Sequence, residues 1–169
     1  MTGPREIPPE QLQEILENHR KWVESKGKEG KRANLRGVRL WGVHLVGVNL
    51  SEADLGEAIL ARASLVTADL SKTNLAGANL WEANLSGANL SEANMRGANL
   101  EGTNLEGANL IRASLGRASF AKANLQRANL RSAYTINADL RGADLTDAIG
   151  LTDVQVKSAI TDGETKLPV

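Results

Sequence analysis

The sequence predicts an all-β solenoid, and three observations predict it. From Leu35 to Leu145 every fifth residue is Leu, interrupted only by Met95, Phe120 and Thr135. Two places before each of these stands a small residue, nearly always Ala, with Val38, Val43 and Val48 early and Thr73 and Thr103 later. Between the two there is usually Asn, Asp or Ser, and the two residues after each Leu are variable and polar or Gly, as in NLWEANLSGANLSEANMRGANL at residues 79–100.

The beat of five excludes the ordinary elements. Five residues advance an α-helix by about 500°, so successive Leu side chains would land about 140° apart and smear around the cylinder. A straight strand alternates faces, so an odd spacing sends successive Leu residues to opposite sides. The pattern works when each repeat is a short extended piece followed by a bend. Ala and Leu, two apart, then face the same interior, and the bend lets the next pair face it too. Asn, Asp, Ser and Gly are the residues expected to accept the bends.

The string A-N-L-x-x, as in ANLWEANLSGANLSEANMRGANLEG, resembles the signature of the pentapeptide-repeat family, over roughly Ala33–Ile149. That resemblance implies a right-handed quadrilateral β-helix with the central Leu and the preceding Ala inside and the other three positions outside. At 20 residues per coil the segment 33–149 makes five to six coils, a rod about 27 Å long at strand spacing. Buried Leu, at about 1.5–3 kcal/mol each, would stabilise the rod. It would also fill the interior, leaving no internal pocket.

A solenoid exposes strand edges and apolar core at both ends. Residues 1–32 are expected to close one end through a helix at about 9–26. Leu12, Ile15, Leu16, His19 and Val23 form its apolar stripe, with Pro8 and Pro9 at its start and Gly27 beyond it. This helix should cover the coil of Val38, Val43 and Val48. Residues 150–169 are expected to close the other end with a short helix opened by Thr152, with Gln155 three residues on as in a capping box. A turn and a final extended segment should follow.

Composition narrows the function. A chain of 169 residues with 41% hydrophobic content is long enough for one domain, and with only 3% aromatic residues its core must be built mainly from Leu and Ala. Formal charge is +0 and pI ≈ 6.8, which gives no global attraction to nucleic acid or acidic membranes. Cysteine is absent, so disulfides, thiolate nucleophiles and zinc–sulfur sites are excluded. The start, MTGPREIPPEQ, has no apolar targeting core, and no apolar run is long enough to span a bilayer; a cytoplasmic protein is expected. His19 and His44 are the only histidines, and His44 takes an Asn-type outer position that reads as surface variation. Glycines such as Gly97, Gly102 and Gly107 recur at bends, not in a phosphate loop, and GxSxG is absent. A non-enzyme with no cofactor, metal or small-molecule substrate is expected.

Function should therefore lie on the outer faces. Residues twenty apart stack, so Glu52, Lys72, Glu92 and Arg112 share a column that alternates in sign, as do Arg62 and Glu82. Trp41 and Trp81 share an outward column with Ala61 between them, and Val46 and Val66 lie on the next face. The column is either an interaction surface or, at Trp41, covered by the N-terminal segment. Arg112, Arg117, Lys122 and Arg127 take one repeat position on four successive faces, a basic belt that could dock an acidic partner or simply be solvated turn surface. One repeat, AYTIN at 133–137, puts Thr135 at a core position; a bulge there would let Tyr134 or Ile136 take its place. The leading expectation is a rigid scaffold that binds a protein partner or its own copy, with Trp41, Trp81, Arg112, Arg117, Lys122 and Arg127 as candidate contacts. The family resemblance also implies an alternative, a DNA mimic that modulates DNA gyrase. A neutral rod disfavours it, since duplex DNA carries about one charge per 1.7 Å. Direct nucleic-acid binding through the belt lacks aromatic residues for stacking.

Overall fold

The computed structural model describes residues 3–168. It contains two helices, α1 (Pro9–Glu24) and α2 (Asp153–Ser158). Between them runs a ladder of single parallel bridges, each joining residues twenty apart: Asn34 to Asp54, Arg39 to Ile59, and so on at every fifth residue to Asn129 and Ile149. Extended pairing is confined to one bridge residue per repeat because the chain turns immediately after each Leu.

One repeat shows why this backbone is stable. The Leu50 N–H donates to the Asp69 carbonyl at 2.7 Å, Glu52 to Ser71 at 2.8 Å, Ala53 back to Leu50 at 3.0 Å and Asp54 to Ala33 at 3.0 Å. The remaining N–H, of Ser51, donates to the Asn49 side-chain Oδ1 at 2.9 Å. Every N–H of the repeat has a partner, and the last of them needs an Asn or Asp at the bridge position.

The bends differ in composition from expectation. The second residue after each Leu adopts positive φ, from Gly37 (64°) to Asp147 (59°), as the third position of a type II turn requires. Gly77 and Gly97 suit that conformation, yet Glu52, Arg62, Lys72, Glu92 and Arg112 hold it too, at about 1–2 kcal/mol each for their Cβ. Asn and Asp stand mostly on the bridge, although Asn137 and Asp147 also hold the bend. Closure of the coil over-determines the turn, so a left-handed charged residue is tolerated where its side chain reaches water.

The interior is filled as the beat predicts. Leu50, Leu55, Leu60, Leu90 and Leu110 are fully buried, as are Met95, Phe120 and the intervening Ala residues. Thr73 and Thr103 occupy Ala positions and donate their hydroxyls to the Leu50 and Leu80 carbonyls at 2.8 Å. Thr135 also points inward, and the bulge is not formed. Its hydroxyl donates to the Gln155 carbonyl at 2.8 Å and lies 2.9 Å from Ser158 Oγ. Tyr134 keeps the bridge register with Ser114, and Tyr134 and Ile136 stay exposed.

Helix α1 lays Leu12, Ile15 and Leu16 on the core next to Val43 and Val48. It ends at Glu24, two residues short of expectation, because Lys26 turns left-handed (φ 55°). The Lys26 and Gly27 N–H groups then return to the Val23 and Trp22 carbonyls at 3.1 and 2.7 Å, a Schellman closure. His19 is fully buried and stacks on Trp22 with centroids 5.7 Å apart. Its Nδ1 accepts the Ala33 N–H at 3.1 Å. Ahead of α1, Arg5 bridges Val38, donating to Gly37 and accepting from Arg39, both at 2.9 Å; the periodicity does not foretell this pairing.

The C-terminal segment is tied to the last repeats. Thr152 and Gln155 form the expected capping box, and the Gln155 amide also donates to the Leu130 and Ala133 carbonyls at 2.9 Å. Ile160 and Lys166 then pair with Asp139 and Asp144. Asp144 accepts from Thr146, Lys166 and Gln126, and these donors hold its carboxyl well below the usual carboxylate range.

Candidate functional site

With Ala and Leu inward, the outer positions carry whatever chemistry the rod offers. Trp41, Ala61 and Trp81 form the expected column, and Ala61 in its middle is buried. Trp41 is 57% exposed, so the N-terminal segment does not cover it; Val46, on the next face, is 58% exposed. Trp81 is half-buried because the Arg62 guanidinium lies over its ring, 4.8 Å from the centroid. Arg62 also pairs with Glu82 at 2.9 Å. The Arg62 cation is held over the indole face by a neighbouring carboxylate, leaving Trp41 as the free aromatic of this column.

The basic belt is placed differently. Arg112, Arg117, Lys122 and Arg127 are all exposed at the left-handed turn position, one on each successive face, so a flat partner cannot meet all four together. Arg127 is moreover paired with Glu106 at 3.6 Å. The column of Glu52, Lys72, Glu92 and Arg112 forms no ion pair among the described residues, whereas Arg36–Glu57 and Glu106–Arg127 do. Both pairs join residues twenty-one apart, a diagonal that stacking by twenty conceals. His44 is exposed and pairs its backbone with Ser64. No three His, Asp or Glu side chains among the described residues converge on a metal-sized site. No helix among them is long and apolar enough to cross a membrane.

The profile of pentapeptide repeats matches in eight copies across residues 33–71, 68–107, 98–134 and 108–149. The chain belongs to the pentapeptide-repeat family. Pentapeptide-repeat proteins form right-handed quadrilateral β-helices, and four five-residue repeats fill the twenty-residue step between bridges. Among solved structures the chain is similar to HetL, a pentapeptide repeat protein involved in heterocyst differentiation regulation from the cyanobacterium Nostoc sp. strain PCC 7120. The two are 31% identical over 82% of this chain and 72% of that one, with a TM-score of 0.40. A pentapeptide repeat protein from the Arabidopsis thaliana thylakoid lumen is 27% identical over 78% and 84%, with a TM-score of 0.45. QnrB1, a plasmid-mediated fluoroquinolone resistance protein, is 23% identical over 79% and 77%, with a TM-score of 0.41. No curated protein gives a significant match.

Proposed function

We propose that this pentapeptide-repeat protein is a non-catalytic rod that presents an outer face to a protein partner or to a second copy of itself. The observation that carries this reading is the exposed Trp41 at the head of the Trp41–Ala61–Trp81 column, with the equally exposed Val46 on the next face. Large aromatic side chains are costly in water and enriched at the centres of interfaces. In the same reading residues 1–32 and 150–169 are end-closing segments, and residues 33–149 are the five to six coils between them. Arg112, Arg117, Lys122 and Arg127 belong to the interface only in pairs, since they lie on different faces.

The test is crosslinking and co-purification from the native cell with wild type and a Trp41→Ala, Trp81→Ala double variant. The account expects a wild-type adduct or dimer that weakens in the variant by at least about 2 kcal/mol, the scale of an interface anchor. Recovery of the same complex by the variant contradicts it. DNA mimicry acting on gyrase is the alternative function. It sits poorly with a formal charge of +0 and with a belt of bases on every face. Gyrase supercoiling assays with and without quinolone decide it, and either protection or inhibition would favour the alternative.

A further inference from the structure

We infer that the cleft between Arg96 and Arg117 binds a small phosphate monoester carrying a flat ring. The cleft has a volume of about 350 Å³ and is lined by Arg96, Ser114, Gly116, Arg117, Tyr134, Ile136 and Asn137. Three observations support the assignment.

The first is charge. Arg96 and Arg117 are twenty-one residues apart and take the same repeat positions as Arg36–Glu57 and Glu106–Arg127, where the diagonal is an ion pair. Here the diagonal sets cation beside cation, no carboxylate lines the cleft, and neither guanidinium forms an ion pair among the described residues. Two planar guanidinium forks match a phosphate, which accepts in pairs and carries about −1.5 to −2 charge. Ser114 and Asn137 add neutral hydrogen-bonding groups to the lining.

The second is Gly116. Gly56 holds the equivalent place after its Leu, and there a Cβ would crowd the Arg36 Nη1 at 2.6 Å and the Asn74 Nδ2 at 3.0 Å, so those side chains would have to move. At Gly116 the backbone lies outside the left-handed region, and a Cβ would meet only the Ile136 carbonyl oxygen at 3.5 Å, an ordinary contact. Neither turn geometry nor packing requires glycine at 116. What its missing side chain provides is the floor of the cleft.

The third is the wall. Tyr134 and Ile136 are each 63% exposed because Thr135, not they, turns into the core. They give one side of a cationic cleft an aromatic ring and a branched aliphatic chain, surfaces against which a flat ring stacks. The Thr135 repeat and the unpaired arginines therefore meet in one place.

The experiment is isothermal titration of the full chain with phenyl phosphate, adenosine 5′-monophosphate, inorganic phosphate and phenol. Saturable binding of at least one of the two ring esters is expected, tighter than inorganic phosphate and far tighter than phenol. Arg96→Ala and Arg117→Ala should each weaken it by about tenfold or more, the loss of a charge-assisted pair. Gly116→Gln, whose backbone fits, should fill the floor and abolish binding while circular dichroism stays unchanged. Tyr134→Ser should remove the advantage of the ring esters over inorganic phosphate. Absence of saturable binding, inorganic phosphate binding as tightly as the ring esters, or binding that survives Gly116→Gln would each overturn the assignment.

Discussion

At the scale of the residue, the five-residue unit is explained by what each position must supply to the backbone. Leu and Ala fill the interior, and the residue between them completes the hydrogen bonding. Asn89 illustrates it: its Oδ1 accepts the Ser91 N–H at 3.2 Å and the Asn109 amide at 3.2 Å, and its own amide donates to Asp69 Oδ1 at 3.2 Å. The column thus runs donor to acceptor from Asn109 down to Asp69, where an acceptor suffices. Asn89→Asp keeps the acceptors, removes the donor and sets two carboxylates at strand spacing. The two carboxylates repel when both are ionised, so the loss is expected to be largest at neutral pH and to shrink as protonation restores the donor. Urea midpoints should show a loss of about 1–3 kcal/mol at pH 7 that narrows on acidification relative to wild type; a loss independent of pH contradicts the ladder. The inward Leu and Ala were legible in the sequence because burial imposes a period. The left-handed Glu, Lys and Arg at the bends were not, because that conformation is imposed by closure of the coil and opposed by local preference.

At the scale of the element, α1 is fastened by a buried imidazole. The apolar stripe of Leu12, Ile15, Leu16 and Val23 was readable from helical spacing, but the stripe does not reveal that His19 serves as an acceptor for the first repeat's Ala33 N–H. Burial holds the His19 pKa below its usual 6.5, with the Ser51 backbone opposing. The neutral ring is therefore the folded form. As pH falls below 6.5 the unfolded chain takes up a proton that the folded chain refuses, so stability present above 6.5 is lost on acidification. Thermal melts between pH 7.5 and 5 should show the wild-type midpoint falling, and His19→Gln, less stable at pH 7.5, should show a flatter profile. An unchanged slope in that variant would place the titration elsewhere. At the other terminus α2 is legible from Thr152 and Gln155 alone. The further bonds of Gln155 to Leu130 and Ala133 are not, since they join segments that only the coil brings together.

At the scale of the whole molecule, a filled core moves function to the outside and makes the ends the point of vulnerability. Column stacking by twenty was computable from the sequence and correctly aligned Trp41, Ala61 and Trp81. It missed the diagonals of twenty-one, which join the first turn residue of one coil to the second of the next, and so it missed the Arg96–Arg117 cleft. The central claim is that the terminal segments close the rod and leave its faces as the working surface. At the N-terminal end Arg5 takes the edge at Val38, and Leu12, Ile15 and Leu16 take the apolar surface. The most direct measurement is light scattering, with circular dichroism, on the chain lacking residues 1–32. The account predicts a β-rich spectrum together with end-to-end association or aggregation that grows with concentration, because an open edge and bare core seek another chain. A β-rich product that stays monodisperse, at the same oligomeric state as the full chain, would contradict it.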